Sequence, residues 1–170
     1  MPSLPAAGAP FPQVSIPTLG GADVTLGQAD DWAMVVVYRG LHCPKCKAYL
    51  AELSGMLDAF AKLGVTVVAA SADPQEKAQA FADEISYAGT MGYGLTVPQM
   101  RELGLYISDP LSDAETDRPF AEPGLFIINS DGILQVHDTS TAPWARPPLQ
   151  GVHDGIAFVR DQGRPPRGTH

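Results

Sequence analysis

The sequence predicts an α/β fold in which a central mixed β-sheet is flanked by helices. An apolar, β-branched run at residues 33–38 is followed by a helical repeat of apolar residues from 44 to 63 and by a second apolar run at 65–71. A third run at 124–129 leads through a Gly-containing turn into residues 133–137, which is typical of a hairpin. Because a strand–helix–strand unit pairs its strands in parallel and a hairpin pairs them antiparallel, the sheet combines both directions.

Shorter signals fill the rest of the chain. Asp73 and Pro74, with Glu76 close behind, form the pattern of a helix N-terminus, with Asp73 as N-cap, and predict a helix to about Tyr87. The acidic, proline-broken residues 107–122 predict an exposed surface loop. The other expected elements are a strand at 23–26, a short helix at 98–103 and a last helix at 149–161.

The length of 170 residues suits a single domain. Five prolines between residues 1 and 22 oppose helix formation, so we expect an extended N-terminal segment there. Residues 23–162 are predicted to form the folded domain. Residues 163–170, in which Gly and Pro recur, are predicted to form a flexible tail.

Composition and charge exclude several classes of protein. The formal net charge is −8 and the sequence pI is about 4.7, whereas nucleic-acid-binding proteins carry basic surfaces, so nucleic acid is not an expected partner. No stretch approaches the roughly 20 apolar residues that span a bilayer. The N-terminus also lacks the basic and apolar regions of a signal peptide. We therefore expect no membrane association and a cytoplasmic location, where thiols stay mostly reduced.

The only two cysteines of the chain, Cys43 and Cys46, lie at the junction of the first buried strand and the first long helix. Cys43 is expected at or near the N-cap, with Pro44 at the helix start and Cys46 one turn in, on the same face. Because a helix N-terminus favours a thiolate, the pKa of such a cysteine can fall from about 8.5 to roughly 3.5–7.5. Cys43 is then the outer sulfur that attacks a substrate, and Cys46 attacks Cys43 to leave a disulfide. Positive charge is concentrated around the pair, at Arg39, His42, Lys45 and Lys47.

Three other interpretations of the pair compete with this one. A structural disulfide is disfavoured, because the loop that it would close is too small to remove much chain entropy. Two inert core cysteines are an alternative, since free cysteine is among the most buried residue types. A zinc site would need two further ligands at finger-like spacing, which the four histidines do not offer: His42, His137, His153 and His170. No metal and no cofactor is therefore expected.

Three segments carry a recognisable likeness. They read VVVYRGLHCPKCKAYLAEL from residue 35, GVTVVAASADPQEKAQAFADE from residue 64 and PGLFIINSDGIL from residue 123. Together they resemble the alkyl hydroperoxide reductase / thiol-specific antioxidant (AhpC/TSA) family, and more narrowly its peroxiredoxin-like branch with a YRG-x-x-CP-x-C string. The resemblance implies a thioredoxin-like fold for the folded domain and thiol-based redox activity. It also implies that Cys43 is the attacking cysteine and Cys46 the resolving one.

The resemblance also places Pro123 where thioredoxin-like proteins carry a cis-proline facing the cysteines. We expect a cis bond because Pro123 directly precedes a buried strand, with a trans bond as the ordinary alternative. Two positions depart from the family pattern: Val36 and Gly40 replace a proline seven residues and a hydroxyl residue three residues before the attacking cysteine. The later arginine of the family is also displaced, because Pro123 occupies its position.

Roles for the neighbouring residues stay open. Arg39 could hold the thiolate or a peroxide oxygen, pair with a carboxylate, or be a solvated loop residue. His42 could assist proton transfer or have no role, and Lys45 could be a mere exposed residue at the helix start. Tyr38 and Trp144 are interpreted as packing residues.

Three functions follow from these observations. The first is a peroxiredoxin-like antioxidant that reduces hydroperoxides through a dithiol/disulfide cycle of Cys43 and Cys46. The second is a thioredoxin-like protein disulfide oxidoreductase, and the third a non-enzymatic thiol redox sensor. The expected partners are a hydroperoxide or a protein disulfide as substrate, a thioredoxin- or glutathione-type thiol as reductant, and, by resemblance, a second copy of the chain in a homodimer.

Overall fold

The structure, a computed structural model, describes residues 4–170, which form nine β-strands and four α-helices. The strands are β1 Ser15–Pro17, β2 Asp23–Thr25, β3 Trp32–Val37, β4 Val65–Ala70, β5 Thr90–Gly92, β6 Ile107–Ser108, β7 Phe120–Ala121, β8 Gly124–Ile128 and β9 Leu134–Thr139. The helices are α1 Pro44–Lys62, α2 Gln75–Ile85, α3 Val97–Glu102 and α4 Leu149–Asp161. None of these four helices combines the length and the apolar character that a membrane crossing needs.

Five strands form the central sheet, in the order β5-β4-β3-β8-β9. β3 pairs in parallel with β4, and β4 with β5, whereas β8 runs antiparallel to both β3 and β9. Met34 of β3 therefore lies between Val67 of β4 and Ile127 of β8. The predicted mixed sheet is confirmed, and α1 is the crossover that the parallel pairing of β3 with β4 requires.

Every residue of β3 is buried, because both faces of this central strand are covered. Met34 and Val36 belong to the core on one face, with Leu50 of α1 and with side chains of α2 and α4. Val35 and Val37 belong to the core on the other face, against α3 and the β1–β2 hairpin. Two covered faces explain why β3 is apolar throughout instead of alternating.

The prediction that Asp73 caps α2 is wrong. The N-cap of α2 is Pro74, and no side chain caps this helix. The Asp73 carboxylate is only 2% exposed and accepts the Leu41 N–H at 2.8 Å instead. The Asp73 carboxylate therefore accepts a hydrogen bond from a backbone N–H in the loop before α1, which is distant in sequence, and not from the N-terminus of α2 as the local pattern predicted.

Residues 107–122 are more ordered than the predicted surface loop. β6 and β7 pair antiparallel at its two ends, with Ile107 opposite Ala121. Phe120 and Glu122 are buried, whereas Leu111 in the middle is exposed. The apolar residues near the end of the segment anchor it to the core, so that only its centre behaves as the acidic composition suggested.

The N-terminal segment contacts both edges of the central sheet. At one edge, Gly8 N–H donates to the Leu134 carbonyl at 2.8 Å and Leu134 N–H donates to the Ala9 carbonyl at 2.9 Å. At the other edge, Leu19 N–H donates to the Met91 carbonyl at 3.0 Å. Residues 15–17 form β1, which pairs with β2, so the expected extended conformation is partly that of a strand.

Replacing Leu50 by Ala is expected to lower the free energy of unfolding by about 2–5 kcal/mol, because this fully buried side chain fills the space between α1 and the sheet. Asp58→Ala on the exposed side of the same helix should change it by less than about 0.5 kcal/mol. Urea unfolding of the reduced protein, followed by circular dichroism, measures both changes. Similar losses in the two variants would contradict the assignment of Leu50 to the core.

Candidate active site

Cys43 is the N-cap residue of α1. Its backbone is extended (φ −109°, ψ 102°), and its Sγ accepts the Cys46 N–H at 3.2 Å. Pro44 occupies the first helical position, where its missing N–H costs nothing. Both cysteines are free thiols. The predicted arrangement of the pair at the start of the helix is therefore present.

Both thiols are covered in this structure. Cys43 is 1% and Cys46 0% exposed, and both are part of the core between α1 and the sheet. Cys43 was predicted to be the outer sulfur, but the two cysteines do not differ in solvent exposure. Any substrate must therefore displace neighbouring side chains or loop residues before it reaches either sulfur.

The two thiols differ sharply in acidity. Interaction with the Cys46 side chain, the Cys46 N–H and the charge of Arg146 outweigh burial and lower the pKa of Cys43 to about 6. Burial and the nearby Cys43 sulfur raise the pKa of Cys46 far above its usual range. At neutral pH the pair therefore carries a thiolate on Cys43 and a proton on Cys46.

Arg146, which the sequence did not single out, contacts the pair directly. Its Nη2 donates to Cys46 Sγ at 2.9 Å. Nη1 of the same guanidinium donates to the Pro143 carbonyl, and the group lies over the Tyr49 ring at 5.1 Å. Tyr49 Oη in turn donates to the Pro147 carbonyl at 2.7 Å, so residues 140–148 are fastened onto α1 beside the cysteines. The only local signal for this arginine is its position between prolines just before the last helix.

Pro123 is buried beside the site, but the prediction of a cis bond is wrong, since residues 4–170 contain no cis peptide bond. The chain runs extended from β7 through Pro123 into β8, and the Pro123 carbonyl accepts the Ser140 N–H at 3.1 Å. This path needs only the trans form, which most X–Pro bonds adopt. Pro123 and Arg146 line the same small cavity of about 10 Å³, together with Val36 and Tyr49.

Arg39 pairs with carboxylates, which was one of its three possible roles. Its Nε lies 3.2 Å from Glu122 Oε2, and its Nη2 lies 3.6 Å from Glu115 Oε1. The guanidinium also stacks over Phe120 at 4.8 Å. It still lies close enough to Cys43 to contribute to the lowered pKa of this thiol. The segment between β6 and β7 is thereby attached to the loop in front of the cysteines.

The other basic residues near the cysteines contribute less positive charge to the site than their positions in the sequence suggested. His42 packs edge-on against Phe120 at 4.6 Å, and burial and the Arg39 charge lower its pKa, so it is mainly neutral. Lys45 is exposed, and Lys47 pairs with Glu84 at 2.9 Å. Trp144, expected to pack, is 75% exposed. In the part of the chain that the structure describes, no group of three metal-ligating side chains comes together.

Gly40 and Asp73 hold the backbone that leads into Cys43. Gly40 has φ +143°, and a Cβ at this position would lie 2.8 Å from Asp73 Oδ1. The Gly40 carbonyl accepts the Cys43 N–H at 3.1 Å. Burial raises the pKa of Asp73, while the Leu41 N–H opposes this shift. The glycine at the position of the family's hydroxyl residue is therefore explained by a close approach to a buried carboxyl.

A cysteine pair at the start of the helix that follows the central strand of a mixed sheet defines a thiol redox protein of thioredoxin-like fold. The comparisons identify its family. The AhpC/TSA family model matches residues 7–137, which is most of the chain. The chain therefore belongs to the AhpC/TSA family and is a thiol-dependent oxidoreductase. The comparison with curated proteins gives no significant match.

Solved peroxiredoxin structures have the same fold. A cysteine-to-serine mutant of peroxiredoxin 6 from Arenicola marina superposes with a TM-score of 0.79 at 17% identity, covering 93% of this chain and 74% of that one. A peroxiredoxin-like protein from Aquifex aeolicus gives 0.77 at 16% identity, covering 92% and 89%. The peroxidoxin BcpB from Mycobacterium tuberculosis gives 0.72 at 17% identity, covering 92% and 97%. The predicted thioredoxin-like fold is thus confirmed.

A pH titration of the reduced protein, followed by thiolate absorbance near 240 nm, should show one thiolate forming with a midpoint at about pH 6. The thiolate is lost as the pH falls through this value, because Cys43 then takes up a proton. Cys43→Ser should remove the transition near pH 6, and any remaining ionisation of Cys46 should occur at a higher pH, because burial still raises the pKa of Cys46. A midpoint near that of a free cysteine, about 8.5, would contradict the stabilisation described above.

Gly40→Ala is expected to destabilise the protein by about 1–3 kcal/mol, because the new Cβ meets the Asp73 carboxyl in a left-handed conformation. The matched control is Gly55→Ala in α1, where a Cβ meets nothing within 4 Å and helix propensity should add about 0.5–1 kcal/mol of stability. Thermal unfolding of both variants measures the difference. A neutral Gly40→Ala would show that the contact with Asp73 does not constrain the loop.

Proposed function

We propose that the protein reduces hydroperoxides through a dithiol/disulfide cycle of Cys43 and Cys46. The observation that carries this proposal is the division of the pair into a thiolate that caps α1 and a protonated thiol one turn below it. A nucleophile and its partner are thereby held in one turn of helix. This is the arrangement that a two-step oxidation requires.

The first step oxidises Cys43. Its thiolate attacks the terminal oxygen of the hydroperoxide, an S–O bond forms, the O–O bond breaks, and the alkoxide or hydroxide that leaves takes up a proton. The Cys43 sulfur becomes a sulfenic acid. In the second step Cys46 displaces the sulfenic hydroxyl as water and a disulfide forms. A thioredoxin- or glutathione-type thiol then reduces this disulfide and completes the cycle.

The covered position of both sulfurs favours a small substrate. A hydroperoxide needs only a narrow opening, whereas a protein disulfide would have to bring a second chain against Cys43. The family's hydroxyl group is absent at Gly40, so the donors near the attacking sulfur are the Cys46 N–H and the Arg39 guanidinium. Arg39 would have to serve this role while it remains paired with Glu122.

A second candidate function is protein disulfide exchange. The observation in its favour is the Cys-Pro-Lys-Cys dithiol itself. Its two thiols can reduce a substrate disulfide and become a disulfide within one turn of helix. Reduction of insulin disulfides in the presence of a thiol reductant tests it. Rapid insulin reduction together with slow peroxide consumption would favour protein disulfide exchange over peroxide reduction as the function.

Stopped-flow mixing of the reduced protein with hydrogen peroxide should show thiol oxidation much faster than that of free cysteine at the same thiolate fraction. Cys43→Ser should abolish this reaction. Cys46→Ser should keep the first step and accumulate a sulfenic acid, which dimedone traps for mass spectrometry. A rate no faster than that of free cysteine would refute the peroxidase cycle, and a sulfenic acid on Cys46 of the unsubstituted protein would reverse the two roles.

A further inference from the structure

We propose that Arg146 is a catalytic residue of the second step, which holds the Cys46 sulfur as the nucleophile that closes the disulfide. This inference rests on the proposed cycle of Cys43 and Cys46. It assigns a task to residues 140–148, which lie between β9 and α4 and which no sequence motif marked as part of the site.

The contact joins a cation directly to the reacting sulfur. Arg146 Nη2 donates to Cys46 Sγ at 2.9 Å, and this sulfur is completely buried. The guanidinium is held in place by the Pro143 carbonyl and by the Tyr49 ring. A donor that is fixed by its own loop and directed at a buried sulfur stabilises negative charge there more strongly than the same group in water.

The state of Cys43 determines when this stabilisation takes effect. In the reduced pair, burial and, after it, the Cys43 sulfur keep the proton on Cys46, and they outweigh the Arg146 charge. When Cys43 becomes a neutral sulfenic acid, its negative charge is gone while the Arg146 guanidinium remains at the same sulfur. The pKa of Cys46 therefore falls, although burial still raises it, and Arg146 favours the thiolate that attacks the sulfenic acid. The arrangement keeps the second thiol unreactive until the first has been oxidised.

The chemical balance of the step is complete without a further reagent. Cys46 loses its proton, its sulfur attacks Cys43 Sγ, the S–S bond forms and the S–O bond of the sulfenic acid breaks. The hydroxide that leaves combines with a proton to give water, so the net products are one disulfide and one water molecule. Arg146 keeps its own proton throughout and acts only through its charge and its hydrogen bond.

The groups that surround Cys46 and Arg146 come from several elements. Asp138 of β9 lines the same small cavity as Arg146, and Tyr38 follows β3 near Cys46. The charges that act on the neighbouring Tyr49 are those of Arg146, Glu52 and Asp138. Arg146 is the only one of these groups that donates a hydrogen bond to a cysteine sulfur among the described residues. Its removal should therefore change Cys46 more than it changes Cys43.

The test separates the two oxidation steps in a single turnover with hydrogen peroxide. Quenched samples of the full-length protein are analysed by mass spectrometry for dimedone-trapped sulfenic acid and for disulfide. Arg146→Met should slow disulfide formation by roughly tenfold to a hundredfold, the worth of a hydrogen bond to a charged group, and sulfenic acid should accumulate. Sulfenic acid formation should slow by less than about fivefold.

Two comparison variants keep the result decisive. Arg146→Lys, which retains a charge, should give an intermediate rate of disulfide formation, and the pH midpoint of this step should move upward in the order Arg, Lys, Met. Arg101→Met, at an exposed arginine of α3, should leave both steps unchanged. If Arg146→Met is found unfolded by circular dichroism, Arg146→Lys alone provides the rate and the pH profile.

Equal slowing of both steps, or an unchanged rate of disulfide formation, would overturn the role of Arg146. Failure of the unsubstituted protein to form either a sulfenic acid or a disulfide with hydrogen peroxide would refute the peroxidase cycle itself. The two failures are distinguishable because the first appears only in the variants and the second already appears in the parent protein.

Discussion

The hydrogen bond from the Cys46 N–H to Cys43 Sγ is the interaction that joins the fold to its chemistry. A helix N-terminus leaves backbone donors without partners inside the helix, and an N-cap side chain can satisfy one of them. Here that side chain is a thiol, and the same donors that stabilise the helix also favour the thiolate. The Cys43 side chain therefore serves both as the cap of α1 and as the nucleophile. Any oxidation of Cys43 alters the end of α1 at the same time.

The fold and the position of the cysteine pair could be predicted because both depend on local patterns. Each element has a pattern that can be recognised within about a dozen residues of sequence. Examples are the all-apolar β3, the helical repeat of α1 and the Gly-containing turn before β9. The same is true of Cys43 and Cys46, whose spacing and place between strand and helix define one turn. The resemblance to a known family then supplied the fold that these elements share.

The electrostatic partner of Cys46 could not be predicted, because tertiary packing brings it from a distant segment. Of the basic residues beside the cysteines in sequence, Arg39 contributes to the low pKa of Cys43, whereas the helix directs Lys45 and Lys47 away from the core. The arginine that touches a sulfur comes from residues 140–148. For the same reason the Asp73 carboxyl, assigned to a helix cap by local pattern, serves the loop before Cys43.

The N-terminal segment has a consequence for how the sheet meets other molecules. Residues 8–9 hydrogen-bond to the start of β9, and residues 17–19 hydrogen-bond along β5, so one continuous stretch of chain acts as a belt around both outer strands. Unpaired strand edges are templates for aggregation. Detachment of this belt would therefore uncover backbone donors and acceptors on opposite sides of the molecule at once, the geometry from which open-ended strand-by-strand polymers grow.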